Sequence, residues 1–89
     1  MRPRLHELLE IVAQYEVWQR RIPGRNCGDV DYDKMRIRID PRATAREKAD
    51  TLVHEALHVW YHERELDPPE EQVREEATRI TRRLYGEED

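Results

Sequence analysis

The chain has 89 residues, enough for one domain spanning 1–89 and no more. Apolar residues are 37% of it and charged residues 40%, with no Phe, so its core is limited and a bound metal or a homodimer interface would help to hold the fold. The net charge of −4, with the two signs interspersed, excludes a basic nucleic-acid stripe.

The first predicted element is an amphipathic helix from Pro3 to about Gln19. Leu5, Leu8, Leu9, Val12 and Tyr15 form its inner side, continued by Trp18 or Gln19. The charges in Met1-Arg2-Pro3-Arg4 leave no room for a secretory core, and no apolar run of about 18 residues follows, so the expectation is a cytoplasmic protein with no membrane contact. Ile22-Pro23-Gly24 ends the helix. Asn26 to Val30 is a weak strand candidate. It holds Cys27, the lone cysteine, which can form no intrachain disulfide and reads as a strand or turn residue. Asp31 to Lys34 is turn-like. Met35 to Ile39 alternates, with Met35, Ile37 and Ile39 to one side and Arg36 and Arg38 to a solvated face. Thr44-x-x-Glu47 is a capping box that starts a helix near Ala45. No Pro or Gly interrupts residues 42–67, and Ala49, Leu52, Val53, Ala56, Leu57, Val59 and Trp60 give this segment a helical apolar pattern.

Within that helix lies His54-Glu55-Ala56-Leu57-His58, a match to HExxH. Residues four apart share a helix face, so His54 and His58 can hold one metal ion between their imidazoles. Glu55 stands beside them, within reach of a metal-bound water. Two neutral nitrogens, a carboxylate base and an open coordination position are what zinc-assisted hydrolysis needs. Such a donor set also accepts cobalt, nickel or manganese.

A catalytic zinc site takes a third protein ligand. His6 is far upstream, and His62 lies about 6 Å beyond His58 along the same helix. That leaves the carboxylates of a second helix, for which Asp67 suits the N-cap and Pro68 and Pro69 the first turn. Val73, Ala77, Ile80 and Leu84 mark its buried face. Glu71 and Glu75 point away from that face. Glu70 and Glu76 flank it on either side, and both stay open as ligands. A simple antiparallel hairpin centred near Leu66 favours Glu76.

The motif and its surroundings resemble the gluzincins, and in particular the small ImmA/IrrE-type metallopeptidases and their short relatives in phages and mobile elements. The residues that carry the resemblance are Ile39-Asp40-Pro41, Thr51-Leu52-Val53-His54-Glu55 and Glu70-x-x-Val73-x-x-x-Ala77, within 37–84. The resemblance implies an α+β, minimal zincin-like domain. With the elements above, its order is α-β-β-α-α, with a short β-hairpin packed on the HExxH helix. It also implies that Glu70, with His54 and His58, is the third metal ligand.

The expected function is therefore a zinc-dependent metallopeptidase that cleaves a peptide or protein substrate. Glu55 is the general base that activates a zinc-bound water. Tyr32, Tyr61, His62 and Arg64 are candidate donors to the developing oxyanion. The competing expectations are a metal-stabilised binding or regulatory module that keeps the site without turnover, and a metal-free interaction domain in which HEALH is accidental.

Overall fold

The computed structural model describes residues 2–24 and 27–87. The chain order is α1 (Leu5–Gln14), β1 (Glu16–Gln19), β2 (Gly28–Asp31), β3 (Arg36–Ile39), α2 (Ala45–Glu63) and α3 (Glu70–Leu84). The class is α+β: three helices and one small sheet, as a minimal zincin-like fold requires.

The first helix is shorter than its periodicity predicts. It ends at Gln14, Tyr15 turns extended, and Glu16–Gln19 form a strand. This strand pairs in parallel with β3, and Glu16 N–H donates to Met35 O (2.9 Å) while Arg20 N–H donates to Ile39 O (3.0 Å). Val17 and Trp18 are good strand formers, and the pairing that uses them lies 20 residues downstream, beyond the reach of a local periodicity. The buried face of α1 also differs from the expected one. Leu8 and Ile11 are in the core and Val12 and Tyr15 pack against it, whereas Leu5 and Leu9 are exposed.

The sheet order is β1-β3-β2, with β2 antiparallel to β3 and at one edge. Asn26, the expected start of β2, lies outside the described residues. Met35 belongs to the turn, where its φ is 51° and its side chain is exposed; the strand starts at Arg36. Ile37 and Ile39 are buried. On the opposite face Arg36 sits over the Trp18 ring (3.7 Å) and pairs with Glu16, and Arg38 pairs with Asp29.

The capping box forms as expected at the start of α2. Thr44 Oγ1 accepts from Glu47 N–H (3.1 Å) and Glu47 Oε1 accepts from Thr44 N–H (3.0 Å). This helix is the centre of the fold. Val53, Ala56, Leu57, Val59, Trp60 and Tyr61 are buried where α1, the sheet and α3 meet around it. Glu7 ties α1 to its far end: one carboxylate oxygen accepts from Arg4 N–H (2.9 Å), the other from Trp60 Nε1–H (3.1 Å) and Arg64 (3.2 Å). Ahead of β2 on the other side, Asp40 accepts from the backbone N–H groups of Ile22 and Arg42 and pairs with the Arg42 guanidinium, which fixes the turn after β3.

α3 begins at Glu70, two residues later than expected. The cap is Pro69, whose carbonyl accepts from Gln72 and Val73, so Asp67 does not cap the helix. Val73 and Ala77 are buried as predicted, Ile80 packs against the core, and Leu84 is half exposed. After the helix, Glu87 pairs with Arg46 of α2, which holds the described part of the acidic tail in place; Glu88 and Asp89 lie outside the described residues. No helix among them is long and apolar enough to cross a membrane.

Candidate metal centre

His54 and His58 occupy the two middle turns of α2, on the side that faces β2 and the start of α3. Their Nε2 atoms are 3.1 Å apart. Glu70, the first residue of α3, reaches across to both. Its Oε1 is 2.6 Å from His54 Nε2 and its Oε2 is 3.0 Å from His58 Nε2. The imidazoles are mostly buried, whereas half of the Glu70 side chain is exposed. Donor atoms about 2.0–2.1 Å from a tetrahedral zinc lie about 3.3 Å from one another. Three donors already gathered at 2.6–3.1 Å suit such an ion after a small outward adjustment.

Glu70, not Glu76, is the carboxylate that the structure brings to the two imidazoles. The hairpin estimate gave both arms the rise of a helix, but the four steps from Leu66 to Glu70 have no helical structure. Extended chain can advance about 3.3 Å per residue, so these four steps can span up to about 13 Å, far more than the same steps in a helix. The first residue of α3 thus stands against His54 and His58 rather than nearer His62, where a simple hairpin centred near Leu66 puts it. Glu76 is buried instead against α2, where it accepts from the Tyr61 hydroxyl (2.9 and 3.3 Å).

Glu55 is buried, and its carboxylate lies in one group with the ligand atoms of His54 and His58, all within 4.8 Å of one another. Burial pushes its pKa up to about 7, helped by the negative charges of Asp29 and Glu70. Burial also lowers the pKa of His58, which favours the neutral ring that can donate a lone pair. Glu55 and Glu70 thus sit in different surroundings. The exposed Glu70 spans both rings, while the buried Glu55 is poised to gain and lose a proton near neutrality.

These residues line a cleft of about 560 Å³ whose other walls are Cys27, Gly28, Asp29, Val30, Tyr32, Asp50, Thr51 and Arg74. Gly28 makes the wall possible. A Cβ there would collide with Thr51 Cγ2 and sit 2.8 Å from Arg38 O, so a glycine lets β2 lie against α2. Of the four candidate donors, only Tyr32 lines this cleft. Its ring stacks on His62 (centroids 3.8 Å apart, planes 6° from parallel), and burial together with Glu55 raises its pKa. Tyr61 is occupied by Glu76, and Arg64 by Glu7, the Trp60 carbonyl and the Trp60 ring. Cys27 is a free, exposed thiol that lines the cleft. Gly28, Asp29, Asp50 and Arg74 are wall residues that the sequence did not single out. A glycine inside a strand is a signal of close approach, and Arg74, four residues past Glu70, shares its helix face.

An α+β domain whose HExxH helix meets a glutamate from the next helix has the arrangement of a zincin-like domain, with a His54-Glu55-His58 group that could hold a metal ion. The profile of the Peptidase M78 family, described as the IrrE N-terminal-like domain, matches residues 6–84, and the chain belongs to that family. No curated protein and no solved structure was found to match it.

Proposed function

We propose that the chain is a zinc-dependent peptidase in which His54, His58 and Glu70 hold the ion and Glu55 is the general base. The observation that carries this reading is the reach of Glu70 from α3 to both imidazoles of the motif, with the buried Glu55 beside them. Zinc, when bound, lowers the pKa of a coordinated water and polarises a carbonyl.

The remaining work falls to the chain. Glu55, with a pKa near 7, takes a proton from the attacking water at a carboxylate oxygen and returns it to the leaving amine. Tyr32 donates its hydroxyl proton in a hydrogen bond to the charge that develops on the carbonyl oxygen, and the stacked His62 ring holds it over the cleft. β2 has one side free of pairing among the described residues and contributes Gly28, Asp29 and Val30 to the cleft. Its backbone can take an extended peptide as an added strand. Arg36 and Arg38, paired with Glu16 and Asp29, have no part in this.

The test is elemental analysis of untagged protein followed by cleavage assays. About one zinc per chain is expected for the wild type and for Glu55→Gln, with peptide cleavage by the wild type alone. A wild-type protein that holds zinc and cleaves nothing in a diverse peptide pool overturns the peptidase reading in favour of a binding module.

A further inference from the structure

The cleft is a poor place for an anionic ligand but for one residue. Asp29, Asp50, Glu55 and Glu70 all contribute to its walls, and Arg74 is the only arginine or lysine among the described residues that line it. Asp29 is already paired with Arg38, and Asp50 Oδ1 accepts from the Thr81 hydroxyl (3.1 Å). Arg74 has no such partner. It makes no ion pair, hydrogen bond or ring contact with any described residue.

Its isolation follows from its position. The natural partner of an exposed helix arginine is a glutamate four residues earlier. For Arg74 that residue is Glu70, whose carboxylate is turned to His54 and His58. Formation of the metal centre thus leaves a guanidinium with five donors facing the cleft. A smaller hollow of about 190 Å³ shares Cys27, Asp50 and Thr51 with the cleft and continues it along α3 to Thr78 and Thr81. Arg74 lines the cleft itself, one turn past Glu70 and about 6 Å from it along the helix axis. An extended peptide covers that distance in about two residues.

We infer that Arg74 is a specificity-determining residue that selects peptides bearing a carboxylate within about two residues of the scissile bond. The inference rests on the peptidase reading above. The carboxylate can be an Asp or Glu side chain or the free carboxyl terminus of the peptide; both suit a guanidinium, which grips a carboxylate with two parallel hydrogen bonds.

Peptide hydroxamates test this without turnover, because the hydroxamate anchors on the zinc. Calorimetry would compare matched pairs, Asp against Asn at each position and free acid against amide at the terminus. The proteins are zinc-loaded wild type, Arg74→Gln and Arg74→Lys, with helix content and zinc content checked in each. The wild type is expected to bind one acidic member of a pair about tenfold or more tightly than its neutral match, the worth of a charge-assisted pair. Which pair responds separates a side chain from a terminus. In Arg74→Gln the ratio falls to about one while the neutral peptides bind as before, and Arg74→Lys recovers part of it. Equal affinities in the wild type, a ratio that survives Arg74→Gln, or an equal loss for acidic and neutral peptides overturns the inference and leaves the peptidase reading intact. An acid preference that depends on Arg74 in a protein that never cleaves sustains the inference and overturns hydrolysis alone. A chain that takes up no zinc overturns both.

Discussion

Glu70 and Glu76 lie on the same helix, six residues apart in sequence, and they should give opposite phenotypes. In metal-free protein, Glu76→Ala leaves the buried Tyr61 hydroxyl without its acceptor. Losing a hydrogen bond to a charged group costs about 1.5–3 kcal/mol. At about 2.1 cal/mol/K per residue, 89 residues have an unfolding entropy of about 0.19 kcal/mol/K, so Tm should fall by about 8–16 °C. Glu70→Ala removes an exposed carboxylate from the first turn of α3. Its favourable interaction with the helix dipole is worth about 0.3–1 kcal/mol, or about 2–5 °C. Zinc reverses the order of severity. At a free zinc concentration of about 100 Kd, binding to the folded state alone adds about 2.7 kcal/mol, or about 14 °C by the same entropy. Glu76→Ala should keep that increment. Glu70→Ala should lose it, with an affinity loss beyond the roughly 10–100-fold that losing an outer-shell partner costs. The assay is thermal unfolding by circular dichroism, with chelator and with buffered zinc, alongside zinc content by elemental analysis. Glu76→Gln is the control, since its amide oxygen can still accept from Tyr61. If Glu76→Ala abolishes the zinc increment while Glu70→Ala retains it, the assignment of the two glutamates is wrong.

Three further outcomes follow from the geometry. Gly28→Ala should destabilise the protein by about 1–3 kcal/mol, the cost of forcing a methyl into a packed contact, and weaken zinc binding as β2 moves off α2; an unchanged denaturation midpoint would count against the close contact with Thr51. The Arg42 guanidinium, with the backbone N–H groups of Arg42 and Ile22, holds the Asp40 carboxyl well below its ordinary 3.8. A lowered folded-state pKa means that its contribution is complete above about pH 4 and is lost as pH falls below that, so Asp40→Asn should lower stability at pH 7 and flatten the acid limb of urea midpoints measured from pH 7 to pH 3; parallel limbs would refute this. Tyr32→Phe should retain zinc and fold but reduce kcat by about 10²–10³, the usual loss for one oxyanion donor, and an unchanged kcat would remove Tyr32 from the mechanism.

The parts of the fold that were legible in the sequence are those governed by local rules. The capping box at Thr44 and Glu47, the uninterrupted helix through the HEALH motif and the alternation of Ile37 and Ile39 all depend on neighbours within a few residues, and all appear where they were expected. What local rules cannot see is pairing at a distance. Trp18 continues the helical phase of Leu8 and Tyr15, and only the presence of β3 makes Glu16–Gln19 a strand. Helix phase reduced the second-helix carboxylates to Glu70 and Glu76, but the choice between them depends on the length of an extended connection, and periodicity carries no information on that. The buried Glu76, awkward as sequence, is explained once Tyr61 is seen to donate to it. Likewise, Arg64 and Tyr61 looked as suitable as Tyr32 until their hydrogen bonds showed them engaged elsewhere.

The extended run before α3 makes the connection between the two helices a ruler. Surface loops generally absorb insertions with little effect. Here one added residue would carry the Glu70 carboxylate about 3.3 Å along α2, against a tolerance of about 0.2 Å in a metal–ligand distance. Pro68 and Pro69 stiffen the ruler, since each fixes its own φ and steers the residue before it away from the helical region. The number of residues between His58 and Glu70 is therefore as much a part of the centre as the side chains themselves, and lengthening this exposed loop by one glycine should empty the site while leaving the hydrophobic core untouched.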